Sequence, residues 1–350
     1  MGVDDTNSDM SILLTGAGGS IGSALATAIT ASDPRLLVLL DHSESNLHRI
    51  ESELSTLGSA EHVPILGDVG DPALLADIFD RYRPDIVYHA AAFKHVPLME
   101  ANPVATVRNN AIGTFNLAKA ANEYQLPRLI MISTDKAVNP LSVMGASKRV
   151  AELALLRWSN TRSPMKVLRL GNVLGSEGSV VPLFREQISR GGPVTVTHPE
   201  VSRYFLTMAD AVRLVLAMDT LEAGGGIFVP EMKEPVKIVD LARNLIRAAG
   251  LQPEQDIKIE FTGLRPGDKM AEELVSANEY AKASSVSGIH RVIGPEVLPR
   301  SFDNLMKELE DGCARRDPAK VLEALCKLVP EYRPSELVVS LSRSPVGAKI

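Results

Sequence analysis

The stretch SILLTGAGGSIGSALATAI, which spans Ser11–Ile29, decides the fold of this chain. A short apolar run typical of a buried strand leads into glycines spaced three residues apart, and a helix-forming segment follows. Glycines at this spacing allow a tight turn and a close approach of the backbone to a pyrophosphate, which the free N–H groups of a helix start can bind. The stretch predicts a dinucleotide site, whose expected contacts are Gly16, Gly19, Ser20, Ile21 and Gly22.

The next predicted strand, RLLVLLDH, brings an acidic side chain to the same site. Asp41 lies nineteen residues after Gly22, where a carboxylate accepts hydrogen bonds from ribose hydroxyls and repels a 2′-phosphate. No arginine stands beside it in the sequence to bind that phosphate. We therefore expect NAD rather than NADP as the cofactor, although Asp41 as a helix N-cap would be compatible with both.

Residues after the third and fourth predicted strands extend this site. Asp68 follows a strand and is placed to meet the adenine edge, with Val69 beside it. Ala90 opens a run of three alanines, whose small side chains let a flat cofactor lie close. Lys94 and His95 come just beyond, and we expect them to contact substrate or cofactor rather than to be ordinary surface residues.

The segment STDKAVNPLSVMGASK, Ser133–Lys148, joins the predicted strand Arg128–Ile132 to a helix. Ligands bind at the carboxyl ends of parallel strands, so its polar residues are expected at one site. A polar turn followed by a solvated helix face is the alternative interpretation. The candidate catalytic residues are Thr134, Asp135, Lys136, Met144 and Lys148. The last two lie four apart and share a helix face.

Composition narrows the function classes. At 350 residues the chain exceeds the usual size of one compact domain, and its net charge of -6 argues against a general nucleic-acid binder. Two cysteines, Cys313 and Cys326, form no metal or disulfide pattern, and the seven histidines contain no zinc motif. We therefore expect no metal site and a reducing, cytoplasmic location.

The sequence also predicts no membrane span. No apolar stretch approaches the roughly eighteen residues that a spanning helix needs. The start, MGVDDTNSDM, is acidic and polar and does not resemble a signal peptide. We interpret it as a loose tail before the first strand.

Alternating strands and helices predict an α/β fold, a Rossmann-type doubly wound parallel sheet with a smaller C-terminal α/β substrate lobe. The expected divisions are a flexible tail (1–10), an NAD-binding domain (11–170), a substrate-binding lobe from which parts of the chain can cross back to the first domain (171–280), and a C-terminal helical extension and tail (281–350). We expect one long helix at about Pro97–Asn122, and the strand Gly226–Pro230 in the lobe.

Seven motifs, in this order, resemble the nucleotide-sugar 4,6-dehydratases of the extended short-chain dehydrogenase/reductase superfamily. They are TGAGGSIGS, DHSESNL, HAAAFKHVPLMEANP, STDKAVNPLSVMGASK, GNVLGSEGSVVPLF, HPEVSRYF and GLRPGDK. The resemblance covers about Ser11 to Tyr280 and is greatest to the polysaccharide-biosynthesis branch that acts on UDP-N-acetylglucosamine. It implies a soluble form of that enzyme, with NAD as cofactor and a nucleotide sugar as substrate.

The resemblance implies oxidation of the sugar at C4, loss of water across C5 and C6, and return of the hydride to C6. It makes Lys136 the base at C5, Asp135 the acid at the C6 oxygen, and Lys148 a contact of the nicotinamide ribose. Burial and nearby cations are expected to lower the pKa of Lys136 so that it can act as a base. An exchange of one proton within a coupled Asp135–Lys136 pair is the alternative.

Met144 departs from the superfamily, which has a proton-accepting tyrosine at this position, but the resembling branch shares the methionine. A thioether cannot take the C4 hydroxyl proton. We expect Thr134 to do so, with Ser133 as the second candidate.

The resemblance also implies contacts with the diphosphate and the sugar. A substrate diphosphate favours arginine, whose guanidinium binds phosphate oxygens bidentately. Arg265 is also compatible with a salt-bridged turn residue beside Asp268. The expected substrate contacts are Lys94, His95, Asn172, Val181, Arg203, Arg265 and Asp268.

Three alternatives stay open at this point: a C5-inverting dehydratase, a 4-epimerase and a non-catalytic NAD-binding regulator. The Asp135–Lys136 pair argues against epimerisation, which requires no base at C5. Family members commonly pair through two long helices, here about Pro97–Asn122 and Ser142–Asn160. The resemblance therefore implies a homo-oligomer, a dimer or larger.

Overall fold

The structure is a computed structural model, and it describes residues 9–57, 60–222, 224–231, 234–295 and 298–343. Strands and helices alternate through the first half of the chain, as the sequence predicts. The strands are β1 (Ser11–Thr15), β2 (Leu36–Asp41), β3 (His62–Leu66), β4 (Ile86–His89), β5 (Arg128–Thr134), β6 (Met165–Leu170), β7 (Asn172–Val173), β8 (Val194–Val196), β9 (Ser202–Arg203), β10 (Phe205–Leu206), β11 (Gly226–Pro230), β12 (Val236–Lys237), β13 (Ile259–Phe261), β14 (Tyr280–Ala283) and β15 (Ile289–Ile293). The helices are α1 (Ser20–Thr30), α2 (Glu44–Ser55), α3 (Pro72–Tyr82), α4 (Val96–Glu100), α5 (Pro103–Val107), α6 (Gly113–Glu123), α7 (Val143–Trp158), α8 (Val180–Ser189), α9 (Met208–Ala217), α10 (Ile238–Ala248), α11 (Phe302–Ala314), α12 (Pro318–Leu328) and α13 (Glu336–Arg343).

The main sheet has the strand order β14-β15-β11-β6-β5-β4-β1-β2-β3. The strands from β3 to β11 in this order run parallel, while β15 and β14 are antiparallel. The strand order reverses between β1 and β4, and a crevice forms at such a switch point outside the carboxyl ends of the strands. The predicted Rossmann-type, doubly wound fold is confirmed.

Both faces of this sheet are covered, and β1 shows how. Ile12 and Leu14 are fully buried in the cluster on one face, and Leu13 is fully buried in the cluster on the other. Side chains of a strand alternate between faces, so a strand with apolar residues at every position needs cover on both sides. This places the carboxyl end of β1, and the glycine turn after it, on a rigid base.

The predicted long helix Pro97–Asn122 is wrong, because this segment forms three helices. Pro103 begins α5, and Asn102 before it has the non-helical angles φ -131° and ψ 57°. A proline lacks the N–H that a continuing helix would use, and it disfavours helical angles at the preceding residue. A π-helical segment, Arg108–Ile112, then leads into α6.

The strand Gly226–Pro230, which we expected in the lobe, belongs to the main sheet. It is buried at every position and pairs parallel with β6. Strands β14 and β15, where the sequence signals are weak, continue the same sheet. The lobe keeps its own small apolar core, in which α8 and α10 pack against β8.

Helices α11 and α12 pack against α5, α7 and the π-helical segment. Together with residues of α13 they form an apolar cluster over these elements. Every residue from Val143 to Leu155 of α7 is buried within this single chain. The expected pairing of two chains through this helix therefore has little exposed surface to use along that stretch.

A buried group of charges joins the elements below the carboxyl end of β5. Glu152 of α7 is fully buried and accepts two hydrogen bonds of 2.9 Å from Arg169 of β6. It also accepts hydrogen bonds from Ser133 at 2.7 Å and from Arg149 at 2.9 Å. Burial alone would raise the pKa of Glu152, but the adjacent Arg169 and Arg149 lower it to about 2.

We predict that Arg169→Met destabilises the protein by about 3–5 kcal/mol, because it leaves the Glu152 carboxylate buried with too little compensating charge. Urea unfolding measures this loss. Arg213→Met is the matched control, since Arg213 and Asp210 form an exposed pair 3.5 Å apart and the loss should stay below ~1 kcal/mol. Equal losses in the two variants would contradict this role of the buried group.

Candidate active site

The turn after β1 requires glycine at its first position. Gly16 has φ +68°, and a Cβ there would lie 2.6 Å from backbone atoms of Ala91. A side chain would therefore push apart the ends of β1 and β4, which form the floor of the crevice. Helix α1 begins just after Gly19 with no side-chain cap, so the N–H groups of its first turn remain available to an anion.

Asp41 lies beside this turn at the end of β2. It is buried, and its carboxylate accepts hydrogen bonds of 2.9 Å from the N–H groups of Gly18 and Ser43. The sequence showed no arginine next to Asp41, but the fold brings Arg49 to the same turn. Its guanidinium donates to the Gly18 carbonyl at 2.7 Å and to Glu53 at 3.0 Å.

A cleft with about 620 Å³ of empty space, part of it open to solvent, lies at the reversal of the strand order. The residues that line it come from the ends of β1–β4 and from the helices that follow. They are Gly16, Gly19, Leu40, Asp41, His42, Asn46, Gly67, Val69, Ala90, Ala91, Ala92 and Asn109.

Five predicted cofactor residues are not in this lining: Ser20, Ile21, Gly22, Asp68 and Lys148. Asp68 is exposed, and its carboxylate accepts from the Gly70 N–H at 2.8 Å. The Ser20 hydroxyl accepts from the N–H of Glu177 at 3.0 Å. Lys148 is buried on α7.

Lys148 and Met144 occupy the start of α7. Lys148 is buried, and its amine donates to the Ile132 carbonyl at 2.8 Å. Burial lowers the pKa of Lys148 to about 8, although Glu152 acts in the opposite direction. The Met144 side chain is buried in a small apolar cluster with Val96 and Met99.

Thr134, Asp135 and Lys136 form a connected chain where β5 ends. Asp135 is fully buried, and its Oδ1 accepts from the Thr134 hydroxyl at 2.9 Å and from the Lys136 amine at 3.0 Å. Its Oδ2 has no hydrogen-bond partner among the described residues. Lys136 also donates to Asn172 at 3.3 Å, so this predicted substrate contact joins the same group. A buried carboxylate with one unsatisfied oxygen beside an amine and a hydroxyl is equipped for proton transfer.

Glu272 is part of this group, and the sequence interpretation missed it. Its side chain is 2% exposed, and its Oε1 lies 3.5 Å from the Lys136 amine. Burial alone would lower the pKa of Lys136, but Asp135 and Glu272 outweigh burial and raise it. The expectation of a lowered pKa for Lys136 is therefore wrong for this structure, because two carboxylates surround the amine.

Arg203 is buried and makes its hydrogen bonds within the protein. Its guanidinium donates to the carbonyls of Ser202, Met270 and Lys269 at 2.7, 3.2 and 2.8 Å, and it lies 3.8 Å from Glu272. The Arg203 guanidinium therefore holds backbone segments of the site together. The predicted direct contact with a phosphate would require it to give up hydrogen bonds to these carbonyls.

Arg265 and Asp268 form the salt-bridged turn that was the alternative interpretation. Their side chains lie 3.1 Å apart, and Arg265 is 57% exposed. The Arg265 guanidinium thus keeps free donors toward solvent beside the ion pair. Val181 lies in the first turn of α8 and is half-buried.

Lys94 and His95 follow β4, and both have exposed surface. A Cβ at Gly178, which has φ +66°, would lie 2.5 Å from the His95 ring, so the loop before α8 packs directly on that ring. Burial, followed by the charge of Lys94, lowers the pKa of His95. Partial burial also lowers the pKa of Lys94, although Glu177 opposes this.

The sequence predicts neither a metal site nor a membrane span. Among the residues described here, no three His, Cys, Asp or Glu side chains are grouped in a way that could hold a metal ion. No helix in the same part of the chain combines the length and the apolar character of a bilayer-spanning segment.

The comparisons with known proteins agree with the motifs and the fold. Residues 12–293 match the model of a family described as polysaccharide biosynthesis protein. The chain belongs to this family. The resemblance to its polysaccharide-biosynthesis branch is therefore confirmed at the level of the family.

Two curated relatives carry names from the same field. The capsular polysaccharide biosynthesis protein CapD of Staphylococcus aureus is 47% identical over 314 residues, which are 89% of this chain and 52% of CapD. The probable polysaccharide biosynthesis protein EpsC of Bacillus subtilis (strain 168) is 48% identical over 304 residues, which are 86% of this chain and 50% of EpsC. The chain thus spans about half the length of these relatives.

Other relatives carry a different name. A UDP-glucose 4-epimerase of Rickettsia akari is 35% identical over 292 residues, which are 81% of this chain and 83% of the epimerase.

Among solved structures, Pen from Bacillus thuringiensis has a TM-score of 0.74 and 28% identity, covering 82% of this chain and 90% of Pen. DesIV from Streptomyces venezuelae, a dTDP-glucose 4,6-dehydratase with NAD bound, is similar in fold, with a TM-score of 0.66, 21% identity and coverage of 76% and 88%.

We predict that Lys148 makes stability rise with pH. Its pKa of about 8 in the folded protein is below the ordinary 10.5, so between these values the unfolded chain binds more protons and the free energy of unfolding increases with pH. Relative to Lys148→Met, the increase should total about 3 kcal/mol. Urea unfolding of both proteins at pH 7.5–10.5, without added nucleotide, measures it. A difference that does not change with pH would contradict the lowered pKa.

Proposed function

We propose that the chain catalyses the NAD-dependent dehydration of a UDP-linked hexose. The substrate proposed is UDP-N-acetylglucosamine, and the product is the UDP-4-keto-6-deoxy sugar with the C5 configuration retained. The observation that carries this proposal is the buried Asp135–Lys136 pair at the end of β5, with Thr134 hydrogen-bonded to the same carboxylate. Elimination of water needs a base and an acid within reach of adjacent carbon atoms, and this pair supplies both.

The glycine turn and the cleft fit NAD. Gly16 leaves no space for a side chain against Ala91, and the first turn of α1 has no side-chain cap. Asp41, buried beside this turn, would accept a hydrogen bond from a ribose hydroxyl. The buried carboxylate of Asp41 disfavours the 2′-phosphate of NADP. NAD, when bound, would take a hydride from C4 of the sugar and return it to C6. Lys148 would hold the nicotinamide ribose.

The resting charges of the pair suggest how the base is freed. Lys136 holds its proton firmly, whereas elimination requires a neutral amine and a protonated carboxyl group. Transfer of one proton over the 3.0 Å between Lys136 and Asp135 produces both forms together, which is the coupled behaviour expected of two such close groups. Lys136 then takes the C5 proton, and Asp135 gives its proton to the departing C6 oxygen.

Thr134 is the group proposed to meet the C4 hydroxyl. Its hydroxyl already donates to Asp135, so a proton received from the sugar can be passed on to the carboxylate, which must release it to solvent before it accepts the proton of Lys136. Ser133, the second candidate, donates instead to the buried Glu152. The Met144 thioether lies in an apolar cluster and offers no comparable route.

A 4-epimerase is the second candidate function, and the names of the Rickettsia relatives favour it. Epimerisation returns the hydride to C4 and leaves the C5 proton in place, so it does not require proton transfer by the Asp135–Lys136 pair at C5. A C5-inverting dehydratase would use the same first steps. A non-catalytic NAD-binding regulator would not need the buried acid and base.

We predict that incubation with UDP-N-acetylglucosamine in heavy water gives a product with a C6 methyl group, retained C5 configuration and deuterium at C5. NMR of the product tests all three features. A C4 epimer without deuterium would identify an epimerase instead, and an inverted C5 centre would identify the inverting enzyme. An unchanged substrate would support the regulator.

We predict that Lys136→Met and Asp135→Asn each lower the rate of methyl formation by at least ~10²-fold, because each removes one proton-transfer group. Both variants should still bind NAD, which calorimetry can check. Lys119→Met is the matched control, since Lys119 forms an exposed pair with Glu123 on α6. Turnover at the control rate in either site variant would exclude the assigned roles.

We predict that Thr134→Val slows reduction of bound NAD, because valine has no hydroxyl to accept the C4 proton. Single-turnover absorbance at the wavelength of reduced nicotinamide measures this step. The expected loss is ~10-fold or more. An unchanged rate of hydride transfer would remove Thr134 from the proton route while leaving the Asp135–Lys136 pair in place.

A further inference from the structure

Glu272 is a buried carboxylate that the mechanism above does not use. It lies shortly after the salt-bridged turn of Arg265 and Asp268, and its side chain is 2% exposed. Its Oε1 is 3.5 Å from the Lys136 amine, while its Oε2 has no hydrogen-bond partner among the described residues. Burial of a carboxylate that has one oxygen without a hydrogen bond is unfavourable unless nearby cations compensate its charge.

The cations near Glu272 have other bonds to make. Lys269 lies 3.6 Å from Glu272 and donates to the Val138 carbonyl at 2.5 Å. Arg203 lies 3.8 Å from it and donates to three backbone carbonyls. The cations Lys136, Lys269 and Arg203 and the carboxylates Asp135 and Glu272 thus form one group. Loss of Glu272 would leave the excess positive charge beside the amine that must accept a proton.

We propose that Glu272 is a positioning residue for Lys136, which keeps the amine in the site and stabilises the ammonium that forms when Lys136 takes the C5 proton. This inference rests on the proposed function for the identity of that proton. An amine that is more strongly stabilised when charged is a stronger base, because part of the charge stabilisation is already present in the transition state.

The C5–H bond breaks, its proton joins the lone pair of the neutral Lys136 amine, and its electron pair forms the C5–C6 double bond. The C6–O bond breaks, and the oxygen leaves as water with the proton of Asp135. The new charge on Lys136 lies between Asp135 and Glu272, with Arg203 as the nearby cation that opposes it.

The test compares Glu272→Gln with Glu273→Gln. Glu273 is the neighbouring residue, and its carboxylate accepts from Asn139 at an exposed position, so its loss should leave the site unchanged. Lysine residues are labelled with ¹³C, and the Lys136 signal is assigned by its absence in Lys136→Met. Its pKa is then measured by NMR titration without substrate.

We expect Glu272→Gln to lower the pKa of Lys136 by about one unit or more, and Glu273→Gln to leave it unchanged. With substrate, the acidic limb of the pH profile of kcat/KM should move to lower pH in Glu272→Gln, and the maximal rate should fall ~10-fold or more. A merely structural role would lower the rate without moving the limb.

An unchanged pKa of Lys136 in folded Glu272→Gln would overturn the inference, even with an active wild-type enzyme. If the wild type does not convert the sugar, the proposed function fails, but the titration still decides whether Glu272 stabilises the ammonium. If Glu272→Gln does not fold, the double variant Glu272→Gln/Lys269→Met removes the carboxylate together with one cation. Its Lys136 pKa is compared with that of Lys269→Met alone, and a shift to lower pKa is again expected.

Discussion

The contact between Glu152 and Arg169 underlies the position of the reactive groups. Two hydrogen bonds of 2.9 Å join the carboxylate of α7 to the guanidinium of β6, and the same carboxylate accepts from Ser133 of β5. Arg169 also donates a hydrogen bond of 3.0 Å to Glu279, which lies just before β14. One buried charge thus fixes the strand end that carries Thr134, the helix that carries Lys148 and the segment that follows Glu272.

Burial acts on the two lysines of the site in the same direction, yet the outcomes are opposite. Lys148 meets a carbonyl and the more distant Glu152, so burial prevails and the pKa falls to about 8. Lys136 meets Asp135 at 3.0 Å and Glu272 at 3.5 Å, so the carboxylates prevail and the pKa rises. The direction is decided by the number and distance of the opposite charges.

Sequence periodicity predicted the sheet well, because a buried strand has a local signature. The bounds of β11 agree with the predicted strand Gly226–Pro230, and Asp135 and Lys136 lie where the sequence predicts them, at the end of β5. The interaction of Glu272 with Lys136 could not be found in this way, since it joins residues far apart in the chain. Arg203 shows the same limit, because its hydrogen bonds with the segment 269–270 form only through folding.

The break near Pro103 is different, since its signal was present. A proline inside a helical pattern disfavours continuation of the helix, and Asn102 before it takes non-helical angles.

The sequence gives no local signal that the strand Gly226–Pro230 belongs to the main sheet, because an apolar run fits a buried strand in the main sheet or in the lobe. Only the pairing with β6 decides between them.

The methionine at position 144 has a physical explanation in its surroundings. Met144 packs with Val96 and Met99, and the N–H of Val143 next to it donates to the buried carboxylate of Glu100 at 2.6 Å. A tyrosine there would bring a hydroxyl that needs its own partner beside an apolar cluster, whereas a thioether needs none. The hydroxyl and the carboxylate are found instead where β5 ends, as Thr134 and Asp135. In the proposed reaction, proton transfer therefore moves from the helix to the strand, and α7 retains only the amine of Lys148.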